Sequence, residues 1–307
     1  MILYWNDKFI DEKKAVVSVY DHGFLYGIGL FETFRTYGGQ PFLLERHAER
    51  LTGGCRELGI AYEPQIPAIS GIVSELLRAN GLDDAYFRWT VSAGEGILGL
   101  PNGDYENPTV ILYVKPLPPR PTELDQAGKP LQRLALRRNS PEGAVRLKSF
   151  HYMNSILGKR ELGCYPWASS RAAEGLFLDA DGHIAEGIVS NLFFARDGVV
   201  YTPSLETGIL PGITRGFVME LAKQAGYRLK EGLYTWEELT EADEIWMTNS
   251  IQEIVPVTTL FDIDGKSVAI GGGQAGPVTA DLLRIYREHA AGCEGFSPNK
   301  DERSVDR

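Results

Sequence analysis

The sequence predicts an α/β protein of two domains: a small α+β domain over residues 1–117 and a larger, barrel-like α/β domain over residues 129–290. Three observations lead to this prediction. The length of 307 residues suits about two domains. A proline-rich segment near the middle supplies an interdomain linker at residues 118–128. Helical and strand patterns occur on both sides of it. We expect the polar residues 291–307 to form a disordered tail.

The first domain is predicted to contain two helices and two strands. Segment 43–60 has apolar residues at steps of three and four, and segment 67–81 repeats this pattern and ends on a glycine. The segments AYFRWTVSA (85–93) and PTVILYVKPL (108–117) are rich in aromatic and β-branched residues, which favour strands. Because segments typical of helices and segments typical of strands both occur, this half of the chain predicts an α+β arrangement.

The second domain is predicted to begin with a strand at 131–139 and to continue as a strand meander over 174–203. Two Asp-Gly turn signals divide the meander, at 181–182 and at 197–198. A helix follows at 213–226 and another strand at 244–250. Strands separated by a helix and joined by short hairpins predict a barrel-like α/β domain.

Composition narrows the classes of function. The net charge of −10 argues against general binding to nucleic acids or anionic membranes, because the long-range field repels phosphate. Cys55, Cys164 and Cys293 are widely spaced, so we expect neither a disulfide framework nor a zinc site, and a reducing, cytoplasmic location fits best. His22 and His47 lack partners at metal-ligand spacing, and we predict no metal site. We see neither a signal peptide nor a membrane-spanning run.

The helix at 213–226 is a candidate phosphate site. Gly208 and Gly212 precede it, and glycines there let backbone N–H groups approach an anion at the positive end of the helix. Thr214 would add a hydroxyl. The alternative is an ordinary loop with a Pro-Gly turn.

Lys148, Glu186 and Arg50 are further candidates for chemistry. Lys148 precedes an apolar helical stretch, and a lysine held among apolar groups can act as an amine nucleophile or base. Glu186 is an acid in an apolar strand, where it either faces solvent or holds a protonated nitrogen of a cofactor. Arg50 shares a helix face with Arg46 and either reaches inward to a phosphate or stays on the surface. Each of these residues therefore has a surface alternative.

A basic stretch surrounds Lys148 in an otherwise acidic protein. It contains Arg137, Arg138 and Arg146. Such a stretch suits an anionic ligand, and the alternative is a positively charged exposed patch.

The order of six motifs resembles the fold type IV pyridoxal-phosphate enzymes, also called the class IV aminotransferases. This family includes branched-chain aminotransferases, D-amino acid aminotransferases and 4-amino-4-deoxychorismate lyases. The resemblance covers roughly residues 2–285 and is carried by DHGFLYGIGLFETFRTYGG (21–39), ERHAERL (45–51), RLKSFHYMNSILGKREL (146–162), AEGIVSNLFF (185–194), GILPGITR (208–215) and MTNSIQEIVPV (247–257).

The resemblance implies pyridoxal 5'-phosphate as cofactor and assigns a role to each motif residue. Lys148 would link the cofactor covalently and act as the catalytic base, and Glu186 would keep its pyridine nitrogen protonated. Tyr152 would bind the ring hydroxyl, although its spacing from the lysine is one residue shorter than in branched-chain enzymes. The resemblance assigns the cofactor phosphate to Arg50, the backbone of Ile213 and Thr214, and Ser250. It also names Asn249 as a cofactor-binding residue.

Within the family, the motifs are most similar to bacterial 4-amino-4-deoxychorismate lyases. The expected reaction is elimination to 4-aminobenzoate and pyruvate, and the alternative is transamination of branched-chain or other amino acids. Residues 91–94 lack the Arg-x-His of D-amino acid aminotransferases, which argues against that activity. Candidates for binding substrate carboxylates are Thr33, Arg35 and Arg88. The resemblance also implies a homodimer and a small-molecule substrate. From the net charge and the lack of a long apolar run, we expect neither nucleic acid nor membrane as partner.

Overall fold

The computed structural model describes residues 1–292, and the fold contains two β-sheets with helices packed against them. The helices of this range are α1 (His22–Tyr26), α2 (Leu44–Glu57), α3 (Ile66–Asn80), α4 (Leu124–Ala127), α5 (Met153–Leu162), α6 (Pro166–Ser169), α7 (Ile213–Gln224), α8 (Trp236–Thr240) and α9 (Pro277–Gly292). None of them is both long and apolar enough to cross a membrane. Of the predicted tail at 291–307, residues 291 and 292 belong to α9, and residues 293–307 lie outside the described residues.

The strands of the first sheet are β1 (Ile2–Trp5), β2 (Lys8–Asp11), β3 (Gly29–Tyr37), β4 (Gln40–Pro41), β5 (Ala85–Ser92) and β6 (Thr109–Pro116). They are arranged in the order β2-β1-β6-β5-β3-β4. Helices α2 and α3 cover one face, where Phe34, Phe87 and Trp89 pack fully buried against Leu51 and Leu76. The two helices and the strands β5 and β6 confirm the sequence prediction to within three residues at each end.

The strands of the second sheet are β7 (Lys129–Arg133), β8 (Glu174–Leu178), β9 (Ile184–Gly187), β10 (Asn191–Arg196), β11 (Val199–Pro203), β12 (Arg228–Gly232), β13 (Glu244–Asn249), β14 (Glu253–Phe261) and β15 (Ser267–Ala269). Their order is β12-β11-β10-β13-β14-β7-β8-β9, with β15 beside β14. Strand β9 lies at one end of this order, yet only residues 188–190 connect it to β10. The sheet therefore curls, which agrees with the predicted barrel-like form.

The hairpin between β10 and β11 confirms one of the predicted turns. Arg196 pairs with Val199, so the connection is the two residues Asp197 and Gly198. Both have positive φ, 52° and 72°, as a tight hairpin turn of this kind requires.

The predicted strand at 131–139 is wrong in extent, because β7 ends at Arg133. The chain leaves the sheet ladder where the backbone N–H groups of Ala135 and Leu136 donate to the carboxylate of Glu161, at 2.5 and 2.9 Å. Glu161 belongs to α5, so an alternating sequence could not reveal this competing acceptor. The following residues 134–152 run irregularly toward α5.

The proline-rich segment is held against the second sheet. Asp125 of α4 accepts from Arg120, and Arg120 also donates to the carbonyl of Ile254 at 3.1 Å. Gly128 has φ 60°, and the carbonyl of Pro256 lies where a side chain would begin. All strands of the first sheet precede this segment and all strands of the second follow it, so we keep the division at 118–128 as a proposal.

Candidate active site

A cavity of about 600 Å³ lies between the two sheets and gathers most of the predicted site residues. Its lining includes every one of them except Arg35: Thr33, Arg50, Arg88, Lys148, Tyr152, Glu186, Ile213, Thr214, Asn249 and Ser250. The cavity thus brings together residues that are up to 217 positions apart in the chain.

Lys148 lies in the irregular segment between β7 and α5 and is held against β3. The backbone N–H of Phe31 donates to the carbonyl of Lys148 at 2.9 Å, and the lysine Nζ lies 4.7 Å from the centre of the Phe31 ring. Burial, reinforced by the charge of Arg50, lowers the pKa of Lys148 from 10.5 to about 8. The surface alternative for Lys148 is therefore wrong, and its amine is partly neutral near pH 8.

Glu186 is buried on β9 and fully engaged by donors. Its Oε1 accepts from Arg138 Nε at 2.8 Å, and its Oε2 accepts from the Leu210 N–H at 3.0 Å and from Asn191 Nδ2 at 3.3 Å. Because only 5% of Glu186 is exposed, the solvent-facing alternative is wrong. A positive charge beside the carboxylate keeps a buried anion in place.

Two arginines of the basic stretch around Lys148 contact this carboxylate, and one of them also binds a backbone carbonyl. Arg138 pairs with Glu186, and Arg146 lies 4.0 Å from Glu186 while donating from Nε to the carbonyl of Gly208 at 2.5 Å. Burial and the neighbouring charge of Arg138 lower the pKa of Arg146 to about 10. The exposed-patch alternative is therefore wrong for Arg138 and Arg146, and much of their donor capacity is already used within the protein.

The N-terminus of α7 opens onto the cavity. Gly212 is its N-cap and provides no side-chain cap for the first N–H groups, which have no partner inside a helix. Thr214 is buried, and its Oγ1 lies 3.3 Å from Ser250 Oγ on the turn between β13 and β14. Two hydroxyls and the positive end of a helix thus converge, as an anion site requires.

Arg50, on α2, also reaches the N-terminus of α7. Its NH1 donates to the carbonyl of Pro211 at 2.7 Å, so the guanidinium lies beside the residue that precedes Gly212. Arg46 instead pairs with Glu220 in a bidentate contact at 2.8 Å. Arg50 therefore faces the cavity and not the surface, and its role in holding a phosphate stays a prediction. The two arginines have different environments despite their spacing of four residues.

Two residues behind Arg50 were missed by the sequence reasoning. Glu32 accepts from Arg50 Nε and NH2, each at 2.7 Å, and from His47 Nδ1 at 2.6 Å. Burial alone would raise the pKa of Glu32, but Arg50 and His47 outweigh it and hold the pKa at about 2. The signal that could have identified Glu32 is the one used for Glu186: an acid among the apolar residues of a strand.

Arg88 and Thr33 face each other across the β3–β5 pairing and form one part of the cavity wall. The Arg88 guanidinium stacks 3.5 Å from the centre of the Phe31 ring, and no carboxylate within residues 1–292 forms a salt bridge with it. Arg35 differs. It lies 3.5 Å from Glu253 and 4.2 Å from the centre of the Tyr37 ring, and the structure does not bring it to the cavity.

Tyr152 and Asn249 complete the predicted set. The ring of Tyr152 lies 5.3 Å from that of Phe31, and burial raises the pKa of its hydroxyl. Asn249 uses its Oδ1 to accept from the N–H groups of Ile251 and Gln252, at 3.0 and 2.8 Å. Asn249 thus shapes the turn that presents Ser250.

Thr248 is a further hydroxyl that the sequence reasoning missed. It lines the cavity on β13 opposite Asn191, it is 2% exposed, and its Oγ1 has no hydrogen-bond partner among the described residues. A buried polar atom without a partner is costly, so a group bound in the cavity that offers Thr248 a hydrogen bond would fit this wall. A threonine within a strand does not by itself indicate a function, so Thr248 could not be identified from the sequence.

Comparison with known proteins agrees with this geometry. Residues 29–260 match the family model for class IV amino-transferases. The chain is 44% identical over 289 residues to the aminodeoxychorismate lyase of Bacillus subtilis, covering 94% of both chains. It is 37% identical over 290 residues to a putative branched-chain-amino-acid aminotransferase of Methanocaldococcus jannaschii, covering 94% of this chain and 96% of the relative.

Solved structures show the same family relationship. The branched-chain aminotransferase of Escherichia coli superposes with a TM-score of 0.82 and 27% identity, covering 95% of both chains. The 4-amino-4-deoxychorismate lyase of Pseudomonas aeruginosa gives a TM-score of 0.81 and 29% identity, covering 94% of this chain and all of the other. The family match spans most of the chain, and the chain therefore belongs to the class IV amino-transferase family.

Proposed function

We propose that this protein is a pyridoxal-phosphate-dependent lyase that converts 4-amino-4-deoxychorismate into 4-aminobenzoate and pyruvate, a step of folate synthesis. The observation that carries the choice of reaction is the 44% identity to the Bacillus subtilis lyase over 94% of the chain. The cavity supplies the groups that such a reaction needs: a lysine with a lowered pKa, a buried carboxylate and an anion site.

The residues of the cavity fit pyridoxal phosphate. Thr248 Oγ1 is a buried hydroxyl without a hydrogen-bond partner among residues 1–292, and the N-terminus of α7 has no side-chain cap. Arg50, the backbone of Ile213 and Thr214, and Ser250 would hold the phosphate, while Asn249 shapes their turn. Glu186 would hold the pyridine nitrogen, Tyr152 the ring hydroxyl, and Lys148 the aldehyde carbon. The bound cofactor supplies an electron sink next to the carbon that bears the substrate amine.

The chain's own residues account for the proton transfer. Lys148 has a pKa of about 8, so a sizeable fraction of its amine is neutral at mildly alkaline pH and can accept a proton. That proton leaves the amine-bearing carbon of the substrate. The enolpyruvyl ether bond then breaks, its oxygen departs with the pyruvate portion, and the ring becomes aromatic. Glu186 accepts from Arg138 Nε at 2.8 Å, and this contact holds its carboxyl group where the cofactor nitrogen would lie.

Substrate carboxylates need cationic or hydroxyl partners, and the wall formed by Arg88 and Thr33 offers both. Arg88 is available for this role because it forms no salt bridge within residues 1–292. Arg35 already lies beside Glu253. We therefore assign carboxylate binding to Arg88 with Thr33, and not to Arg35.

An aminotransferase activity is the second candidate, and a specific observation favours it. Branched-chain aminotransferases are among the relatives and among the solved structures with TM-scores of about 0.8. In that reaction Lys148 would return the proton to a neighbouring atom, and no ether bond would break.

The two reactions are distinguished by their products. Purified protein is mixed with 4-amino-4-deoxychorismate, and 4-aminobenzoate and pyruvate are measured together. A one-to-one yield of both supports the lyase. Bleaching of the cofactor colour by branched-chain amino acids, without 4-aminobenzoate from the chorismate substrate, would contradict the lyase and support the aminotransferase.

We also propose that the protein acts as a homodimer in the cytoplasm. Exposed apolar side chains occur in three stretches: residues 16–24, residues 97–100, and residues 153–157 on α5. Large exposed apolar areas mark interaction surfaces. Cys55 and Cys164 are free thiols, which suits a reducing compartment. Sedimentation of a fully active monomer would contradict the dimer, and recovery in a secreted fraction would contradict the location.

A further inference from the structure

A buried cluster of three side chains lies behind the proposed phosphate site. It consists of Glu32 on β3 with His47 and Arg50 on α2, and we call it the Glu32 cluster. Glu32 and His47 are each 1% exposed. Phe31 and Thr33 flank Glu32 in sequence and line the cavity. Because side chains alternate along a strand, Glu32 points to the opposite face and is not placed to touch the substrate.

The cluster fixes the guanidinium of Arg50 on two sides. Glu32 binds Nε and NH2 in a bidentate contact, and the carbonyl of Pro211 accepts from NH1. A guanidinium has five N–H donors in a planar fork. Three of them are used in these contacts, so one N–H on NH1 and one on NH2 remain. We call these two remaining N–H groups the free edge of Arg50. Arg50 lines the cavity, and its contact with Pro211 places the guanidinium next to the N-terminus of α7.

The charges in the cluster support this arrangement. Burial lowers the pKa of His47, so its ring is neutral and donates from Nδ1 to Glu32. The cluster therefore contains one anion, Glu32, and one cation, Arg50. The bidentate geometry and the third hydrogen bond from His47 leave Glu32 no other arrangement that keeps all its donors.

We infer that Glu32 and His47 are positioning residues, which aim the free edge of Arg50 at the phosphate of the cofactor. This inference rests on the proposed function, because it takes the anion at the α7 N-terminus to be the cofactor phosphate. It predicts a selective effect: loss of Glu32 weakens the binding of the phosphate and leaves the binding of the pyridine ring unchanged.

The test compares two probes, pyridoxal phosphate and pyridoxal, which differ only in the phosphate. Both are titrated into cofactor-free full-length protein, for the wild type and for Glu32→Gln. The expected result is a Kd for pyridoxal phosphate raised about tenfold or more in Glu32→Gln, the effect of losing a charged hydrogen bond. The Kd for pyridoxal should not change. Equal weakening of both probes, or no weakening of either, overturns the inference.

A matched control is Glu220→Gln, which removes the bidentate partner of Arg46 one helical turn away. Its affinity for both probes should equal that of the wild type. If Glu32→Gln does not fold, His47→Leu replaces it, with His47→Asn as the conservative variant because its amide nitrogen can take the place of Nδ1. Selective weakening in His47→Leu and recovery in His47→Asn support the inference, and equal behaviour of the two overturns it. A wild type that binds pyridoxal phosphate no better than pyridoxal would instead show that the proposed cofactor site is wrong.

Discussion

Replacing Glu186 by glutamine tests how strongly the site depends on one buried carboxylate. The carboxylate accepts from Arg138 on one oxygen and from Leu210 and Asn191 on the other. Glutamine has a single oxygen, so its NH2 group must face at least one of these donors. The least costly choice turns the NH2 group toward Arg138, which then loses its anionic partner. Arg138 keeps a contact with Asn154 at 2.7 Å and is 10% exposed.

The size of the effect follows from these contacts. Loss of a hydrogen bond to a charged group costs about 1.5–3 kcal/mol. Breaking a buried ion pair from one side costs about 3–5 kcal/mol. Because Arg138 keeps a polar partner, we expect Glu186→Gln to lower the free energy of unfolding by about 2–4 kcal/mol.

The assay is urea unfolding of cofactor-free protein, for wild type, Glu186→Gln, Arg138→Met and the double variant. In the double variant Arg138 is no longer an unpaired cation, and Arg146, 4.0 Å from Glu186, keeps its contact with the carbonyl of Gly208. The loss of unfolding free energy in the double variant should therefore be smaller than the sum of the two single losses by about 1.5 kcal/mol or more. If Glu186→Gln lowers the free energy of unfolding by less than about 0.5 kcal/mol, as the loss of an exposed ion pair would, the reasoning is refuted. Simple additivity in the double variant would also refute it.

Three further predictions use the same structure. Labelling of Lys148 by an amine-reactive reagent in cofactor-free protein should rise with pH around a midpoint near 8, and a midpoint near 10.5 would show that its amine is not buried. Arg88→Gln should lower kcat/KM for the chorismate substrate about tenfold or more, mostly through KM, whereas Arg35→Gln should change it far less; equal effects would contradict the assignment of the carboxylate site. Glu32 has a folded pKa of about 2 against 4.5 unfolded, so its contribution is complete above pH 4.5 and is lost as the pH falls toward 2. Between pH 4.5 and pH 2, the free energy of unfolding of the wild type should therefore fall by about 3 kcal/mol more than that of Glu32→Gln. Parallel curves of unfolding free energy against pH would contradict the pairing of Glu32 with Arg50 and His47.

Much of the fold could be predicted because its elements have local signals. Helices α2, α3 and α7 follow apolar stripes at helical spacing, and these stripes are buried in the structure. The hairpin at Asp197 and Gly198 follows from residues that tolerate positive φ. The end of β7 could not be predicted, because the acceptor that draws its continuation away is a side chain of α5.

The site could be predicted in part for a similar reason. Lys148, Glu186 and Arg50 could be named because each has an unusual local setting and because the motif order resembles a known family. Their partners were harder to predict. Arg138 lies 48 residues from Glu186, and Arg50 lies 18 residues from Glu32. Such pairs depend on how strands and helices pack, which one sequence does not specify.

The most direct test of the central claim is formation of 4-aminobenzoate by the purified protein. Freshly prepared 4-amino-4-deoxychorismate is added to wild type, to Lys148→Ala, and to Lys266→Ala, whose side chain is 85% exposed. The fluorescence of 4-aminobenzoate is then followed. We expect rapid product with wild type and Lys266→Ala, and none above background with Lys148→Ala. Product formation that persists in Lys148→Ala, or no product from cofactor-loaded wild type, would contradict the proposed lyase.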